Sequence, residues 1–595
     1  MRQSILLAVV VLVLAGLILA LPTPPMADET SPEPGHFVIT GARVFDGRDF
    51  LDGSDVIVRA GQIEAVGSDL ALPAGLPRID ANGQTLLPGL IDAHTHSFGT
   101  AQSDALRFGV TTVLDMFTIP TLLPEAIEQR ARRDQSRLAD LYSAGVLATA
   151  RGGHGTQYGI PIPTVDAPDQ ADAWVEARVA EGSDFIKIVI EPGRLFGIQW
   201  PTLDEATVRA LVAAAHARGL LAVAHVSMEA DAIMAVEAGV DGLVHVFADR
   251  PASPEFLELA RERGVFVVPT TVVMAGVAGQ FDMDALLAEN GNTDRFSDEQ
   301  RASLTGGGWT VPNGAAILAR SQDNVRALHA AGIPLLAGSD APNPGTAHGF
   351  SVHEELGFLV EAGMSTAEAL AAATRVTAET FGLEGRGCIA PGCRADLLLV
   401  DGDPQADIRA TRQIAAVWKN GLPVRLDVDL PEAAGPGAPA RTATDLLSAG
   451  EIERWMPSDD RFMNGRSQAS LAPTADGGIR VEGELAAGFA FPYAGVMWSA
   501  GEPFMSPTDL RARERLVIRV RGDSGPWLAM LFSGADPGAG QPIQIPLRPH
   551  SDGARLELHL AEVAGLDRGQ FQAIGVFAVG PPRDFSFDLV EARLE

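Results

Sequence analysis

Leu86-Leu87-Pro88-Gly89-Leu90-Ile91-Asp92-Ala93-His94-Thr95-His96 is the stretch on which the fold turns. An apolar run with a single Pro-Gly break predicts a buried strand, Leu86–His94, ending in two histidines one residue apart. Alternate residues of a strand share a face. His94 and His96 therefore project together from the C-terminal end, where two neutral imidazoles can share a metal ion. A lone His-x-His is equally well explained as two polar residues at a strand end, so the surrounding chain has to decide.

From Leu86 to Gly382 short apolar runs alternate with helical segments, the pattern of a parallel sheet with covering helices. After Leu86–His94 the predicted strands are Thr111–Asp115, Ala144–Ala148, Phe185–Val189, Ala222–His225, Gly242–His245, Val265–Val268 and Leu335–Ser339. Glu205–Arg218 and Glu229–Ala238 are clear helices between them. Eight strands with intervening helices is the count of an α/β (β/α)8 TIM barrel, here over residues 86–384. The long Gly-rich stretch Ala275–Asn313 reads as a lid or an inserted subdomain.

In this fold the chemistry sits at the C-terminal ends of the strands. There the sequence places His94 and His96 (first strand), Lys187 (fourth), His225 (fifth), His245 (sixth) and Asp340 (eighth). A packed core needs none of these groups, and burying them unpaired is costly. Each alone has an ordinary structural explanation; together they predict a metal centre. Imidazoles and a carboxylate suit Zn2+, with Mn2+, Fe2+ and Co2+ also compatible. An ammonium beside cations is repelled, so Lys187 fits only when neutral. Asp340 is placed to take a proton from a bound water. The Gly-rich loop Arg151–Gly159 follows the third strand and can bring His154 and Tyr158 to a ligand. His216 and His329 fall on solvated helix faces, whereas His348 and His353 follow Asp340 on the mouth side.

These motifs resemble the metal-dependent amidohydrolase superfamily, on its prolidase-like and imidazolonepropionase-like side. Asp92-Ala93-His94-Thr95-His96 matches the first-strand motif and Gly338-Ser339-Asp340 the last-strand motif. Ile389-Ala390-Pro391-Gly392-Cys393-Arg394-Ala395-Asp396 resembles the return into a flanking β-sandwich, composed of residues 36–85 and 385–430. The resemblance implies two divalent metal ions held by His94, His96, His225, His245 and Asp340, and bridged by carbamylated Lys187. It also implies hydrolysis of a C–N bond in short peptides or cyclic amides, and a substrate contact for His154 and Tyr158. A mononuclear deaminase is the competing enzyme class, with Glu229 as its acid; an inactive barrel serving only to bind is the third.

The chain has 595 residues and a net charge of −31, which argues against nucleic acid as a partner. Of its 45 cationic side chains only Lys187 and Lys419 are lysines. Arg2 followed by the uncharged run Ile5–Leu21 predicts a signal peptide or membrane anchor over residues 1–27, hence an exported, periplasmic or extracellular protein, tethered if the run is not cleaved. The two cysteines, Cys388 and Cys393, flank a turn; they either pair or fill it as small residues, the second being the favoured expectation. Residues 431–444 are a Pro/Ala/Gly linker, and 445–595 alternate throughout as an antiparallel sandwich or jelly roll. Ser458-Asp459-Asp460-Arg461-Phe462-Met463-Asn464-Gly465-Arg466-Ser467 and Gly495-Val496-Met497-Trp498-Ser499 resemble the galactose-binding-like complex I intermediate-associated protein family. That likeness implies binding or packing, not a second catalytic centre. Sequence gives no oligomeric state.

Overall fold

The computed structural model describes residues 35–595 apart from 119, 157–161, 280–294, 306–310, 312, 428–437, 440–444, 449–450, 460–466, 475, 487–492, 500, 502–507, 523–525, 534–542, 551–552 and 564–565. The N-terminal apolar run, Tyr158 and most of the 458–467 motif lie outside the described residues, as does much of Ala275–Asn313. No helix among the described residues is long and apolar enough to cross a membrane.

Phe37–Phe45 (β1), Phe50–Arg59 (β2), Gln62–Gly67 (β3), Arg78–Asp80 (β4) and Gln84–Pro88 (β5) belong to one eight-stranded sheet. Leu397–Asp401, Ile414–Lys419 and Leu422–Pro423 complete it from the far side of the chain, with Leu397–Asp401 running antiparallel to β5. β1 forks, pairing in parallel with β4 over Val38–Thr40 and with β5 at Arg43–Val44. Phe37, Ile39, Val44, Val56, Val58, Leu86, Leu397 and Trp418 fill its core.

The single strand predicted over Leu86–His94 is two strands in two different sheets. Gly89 divides them: β5 stays in the first sheet, and Leu90–Thr95 (β6) opens a parallel layer. A Cβ at Gly89 would lie 2.3 Å from Thr111 Oγ1, so only glycine passes there. Its N–H donates to Asp396 O at 2.8 Å, tying the junction to the returning segment.

β6 pairs in parallel with Val110–Asp115 (β7), and β7 with Asp140–Ser143 (β8). Ile186–Ile190 (β9), Ala222–Val226 (β10), Gly242–Val244 (β11) and Phe266–Val268 (β12) form a second parallel set. A parallel bridge from Ala148 to Ile188 joins the two sets, and another from Val267 to Leu335 extends the second. Ala93 N donates to Ala337 O at 2.8 Å and Asp340 N to His94 O at 2.7 Å, returning the hydrogen bonding to β6. The third strand lies earlier than predicted because Gly145, at φ 64°, breaks the pleat that begins at Asp140. The segment around Leu335–Ser339 joins its neighbours by single bridges and bonds, not as a regular strand.

Every residue of β6, β7 and β9 is buried, as expected for strands covered on both faces. The helix Glu205–His216 shows how the covering layer is specified. Val208, Leu211, Val212 and Ala215 recur at helical spacing on the buried face, and the Asp204 side chain caps the Thr207 N–H. Each large aliphatic side chain so buried contributes about 1.5–3 kcal/mol. Cys388 and Cys393 are joined as a disulfide, correcting the expectation that they only fill the turn.

Beyond residue 445 two further sheets enclose a separate core. Trp455–Asp459, Tyr493–Ser499, Trp527–Ser533 and Phe571–Val579 lie in one; Ile479–Leu485, Arg515–Gly522, Gly553–His559 and Arg583–Leu594 lie in the other. The alternation read from the sequence is seen in Ile479–Leu485, where Ile479, Val481 and Leu485 point into the core with Trp455, Trp498 and Phe587.

Candidate metal centre

His94 and His96 leave the end of β6 on one side, and Asp340 meets them from the segment bonded to that strand. Asp340 Oδ1 lies 3.0 Å from His96 Nε2 and 3.2 Å from His94 Nε2. One donor atom from each of the three residues falls within 4.8 Å of the others. Asp340 Oδ1 and the Nδ1 atoms of both histidines are buried without a well-directed hydrogen-bond partner. Burying Asp340 Oδ1 unpaired is costly, and a divalent cation between it and the two Nε2 atoms would satisfy it. The residues therefore fit a metal ion.

His245, His225, His154 and Lys187 gather around this tripod, whereas Tyr158 lies outside the described residues. His245 Nδ1 is 4.0 Å from Asp340 Oδ2, and its ring centroid is 4.8 Å from that of His94. The His225 ring lies 4.4 Å from the His245 ring and 5.0 Å from that of His154. His154 also meets Trp200, with ring centroids 4.9 Å apart. Lys187 is buried on β9, within electrostatic reach of Asp340 and Asp115.

The electrostatics keep the imidazoles neutral and the Asp340 carboxyl ionised. Burial and the nearby Lys187 push His94 down to about 3, and burial holds His225 and His245 well below the usual imidazole range. Burial brings His154 to about 4. For Asp340 burial works against charge, but the facing imidazoles overcome it and hold the carboxyl well below its ordinary range. Burial lowers Lys187 to about 7, so a large fraction of its amine is neutral near physiological pH.

His245, Thr270 and Asp340 all adopt left-handed backbone, at φ 66°, 51° and 55°. Non-glycine residues rarely accept that conformation, and strain of this kind concentrates at functional sites.

A hydrogen-bonded frame holds the cluster. Asp92 receives the N–H groups of His94 and Ser339 at 3.1 and 2.9 Å. Asp115 receives the Ser97 N–H at 2.6 Å and the Ser143 hydroxyl. Thr95, between the two histidines, donates to Ala341 O at 3.1 Å and meets His348 Nδ1 at 3.0 Å. His348 thus backs the first strand. His353, by contrast, turns away and bonds Phe108 O at 2.9 Å in the core. His216 pairs with Asp241 at 3.0 Å and His329 approaches Glu368 at 3.6 Å, both on outer helices. Glu229 accepts the Ser253 N–H at 2.6 Å, a structural use of the acid that the deaminase reading requires.

Two groups beside the cluster were not foreseen from sequence. Glu191, directly after β9, faces His225 Nε2 at 3.3 Å, and Thr270 Oγ1 faces His245 Nδ1 at 2.7 Å. The available signal was an acid four residues past Lys187, which the structure places second in β9 instead of at its C-terminal end.

Fold and site together define the class: a parallel α/β layer with flanking β-sheets, carrying an imidazole–carboxylate centre at its strand ends. Residues 85–424 match the Amidohydrolase family, and the chain belongs to it. It is 26% identical over 402 residues to an imidazolonepropionase of Cereibacter sphaeroides, covering 62% of this chain and 93% of that one. The crystal structure of a Xaa-Pro dipeptidase with bound methionine in its active site superposes with a TM-score of 0.54 at 23% identity, over 66% of this chain and all (100%) of that one. A putative prolidase from Bifidobacterium longum gives 0.54 at 25% identity, over 66% and 95% of the two chains. The family is metal-dependent, and membership in it supports a hydrolase acting on C–N bonds.

Proposed function

We propose that this protein is a metal-dependent amidohydrolase built on a (β/α)8 barrel and cleaving an amide bond in short peptides or cyclic amides. The convergence of His94, His96 and Asp340 on one point carries the reading. Two divalent ions, Zn2+ being the best match to the donors, would be held by His94, His96, His225, His245 and Asp340, with Lys187 carbamylated between them. The low basicity of Lys187 supports this role, because only a neutral amine can add to carbon dioxide. When bound, the metal supplies Lewis acidity, polarising a carbonyl and acidifying water.

The chain's own residues then order the reaction. Asp340 Oδ2 accepts a proton from the water whose oxygen adds to the scissile carbonyl carbon. Asp340 returns that proton to the nitrogen as the C–N bond breaks, releasing a carboxylic acid and an amine. His154, in ring contact with His225, and Tyr158 are assigned the substrate contacts.

The Cys388–Cys393 disulfide supports export, since such bonds persist in oxidising compartments. The C-terminal sheets are read as a galactose-binding-like jelly roll of the complex I intermediate-associated type, which binds or packs and does no chemistry. Metal analysis of purified full-length protein, with turnover on a dipeptide panel and on cyclic amides, tests the function. Near two equivalents of divalent metal with dipeptide or cyclic-amide hydrolysis is expected. One equivalent with ammonia release from a nitrogen heterocycle would replace this reading with the deaminase.

A further inference from the structure

We propose that Glu191 is a positioning residue that fixes the tautomer and orientation of His225; the inference rests on reading His225 as a metal ligand. The Glu191 side chain is fully buried. Its Oε1 accepts the Gly193 N–H, and its Oε2 lies 3.3 Å from His225 Nε2. Gly193 has φ 78°, and a Cβ there would come within 2.9 Å of Ile198 O, so the turn that anchors Glu191 demands glycine. The carboxylate is held from behind and aimed at one ring nitrogen.

A carboxylate offers only acceptors, so the nitrogen facing it carries the proton. His225 is therefore protonated on Nε2 and keeps its lone pair on Nδ1. His245 is set in the opposite sense. The single hydroxyl proton of Thr270 goes to Pro269 O at 2.8 Å, so Thr270 Oγ1 accepts from His245 Nδ1 at 2.7 Å. That leaves the His245 lone pair on Nε2. Neighbouring rings with centroids 4.4 Å apart thus offer different nitrogens, each chosen by a different partner. An acceptor behind a ligating imidazole fixes its orientation and raises its basicity, and removing one typically costs about 10–100-fold in metal affinity. Glu229, the other acid near His225 in sequence, accepts the Ser253 N–H.

The test uses the full-length protein stripped of metal, 15N-labelled at histidine, with His225→Asn to assign the ring signals. His225 should be protonated on Nε2 in the wild type. Zn2+ affinity, measured against a chromophoric chelator, should fall about 10–100-fold in Glu191→Leu. In Glu191→Gln, whose amide oxygen still accepts, it should fall only severalfold, with the metal-free melting temperature unchanged. A His225 protonated on Nδ1, or a Glu191→Leu protein binding Zn2+ like wild type, overturns the proposal. Should Glu191→Leu not fold, the wild-type ring signals and Glu191→Gln still decide. A wild type that takes up no Zn2+ defeats the metal-centre reading, while the ring signals judge Glu191 independently.

Discussion

Ser339 donates to Asp92 twice, its N–H to Oδ1 at 2.9 Å and its hydroxyl to Oδ2 at 2.5 Å. These residues flank the ligands at opposite ends of the parallel region: Asp92 also holds the His94 N–H at 3.1 Å, and Ser339 Oγ receives the Ala341 N–H at 3.1 Å. One carboxyl thereby sets the spacing between His94 and Asp340. Ser339→Ala should lower stability by about 1–3 kcal/mol, because a buried acceptor loses its partner. It should also weaken metal binding. Thermal melts with and without added Zn2+ check this; a variant that melts lower yet binds Zn2+ as tightly as wild type would confine Asp92 to a structural role.

Asp340→Asn separates binding from chemistry. The amide keeps an oxygen between His94 and His96 but loses the base, so turnover should fall about 10²-fold or more. Metal content should be partly retained. Measured kcat at wild-type level would remove Asp340 from the role of proton carrier.

Lys187→Ala tests the bridge, and the scarcity of lysine makes the chemistry clean: the only other lysine, Lys419, is fully buried in a salt-bridge cluster. Most activity should go, along with at least one metal. Acetate or propionate added with metal should restore part of the rate by filling the vacated space. If Lys187 were only an ion-pair partner, the variant would melt lower and no acid would help.

The pairing of His94 with His96 was legible because strand geometry is short-range: period-two alternation puts them on one side, and strand ends mark where polar groups escape the core. The partners of His225 and His245 were not. Glu191 sits in a Pro-Gly turn and faces His225, a residue 34 positions away. Thr270 matters only because β11 and β12 are neighbours, a pairing no local pattern encodes. Gly89 was legible as a break but not as a crossing between sheets, because its requirement comes from Thr111 pressing on it. The disulfide likewise needed the folded turn, since a five-residue spacing allows pairing without requiring it.

The last prediction concerns the junction of the parallel layer with the eight-stranded sheet. Asp140, which opens β8, has its Oδ2 2.6 Å from Arg386, 2.7 Å from Arg394 and 3.0 Å from Lys419. Lys419 also reaches Asp396 at 3.1 Å, and all five side chains are buried or nearly so. Burial opposes the Asp140 charge, but Lys419, Arg394 and Arg386 outweigh it and hold the carboxyl far below its ordinary range. A carboxyl depressed in the folded state stabilises above its unfolded value of about 3.9. That contribution is lost as pH falls from there through the folded value. Asp140→Asn leaves three cations facing a neutral amide, so at pH 7 it should lose about 3–5 kcal/mol. The gap between wild type and variant should narrow as pH drops below about 4, where the wild type begins to lose the same interaction. Unfolding of both proteins across pH 7 to 3 checks the sign: a gap that stays constant, or widens in acid, would mean that Asp140 is not the charged centre of the junction.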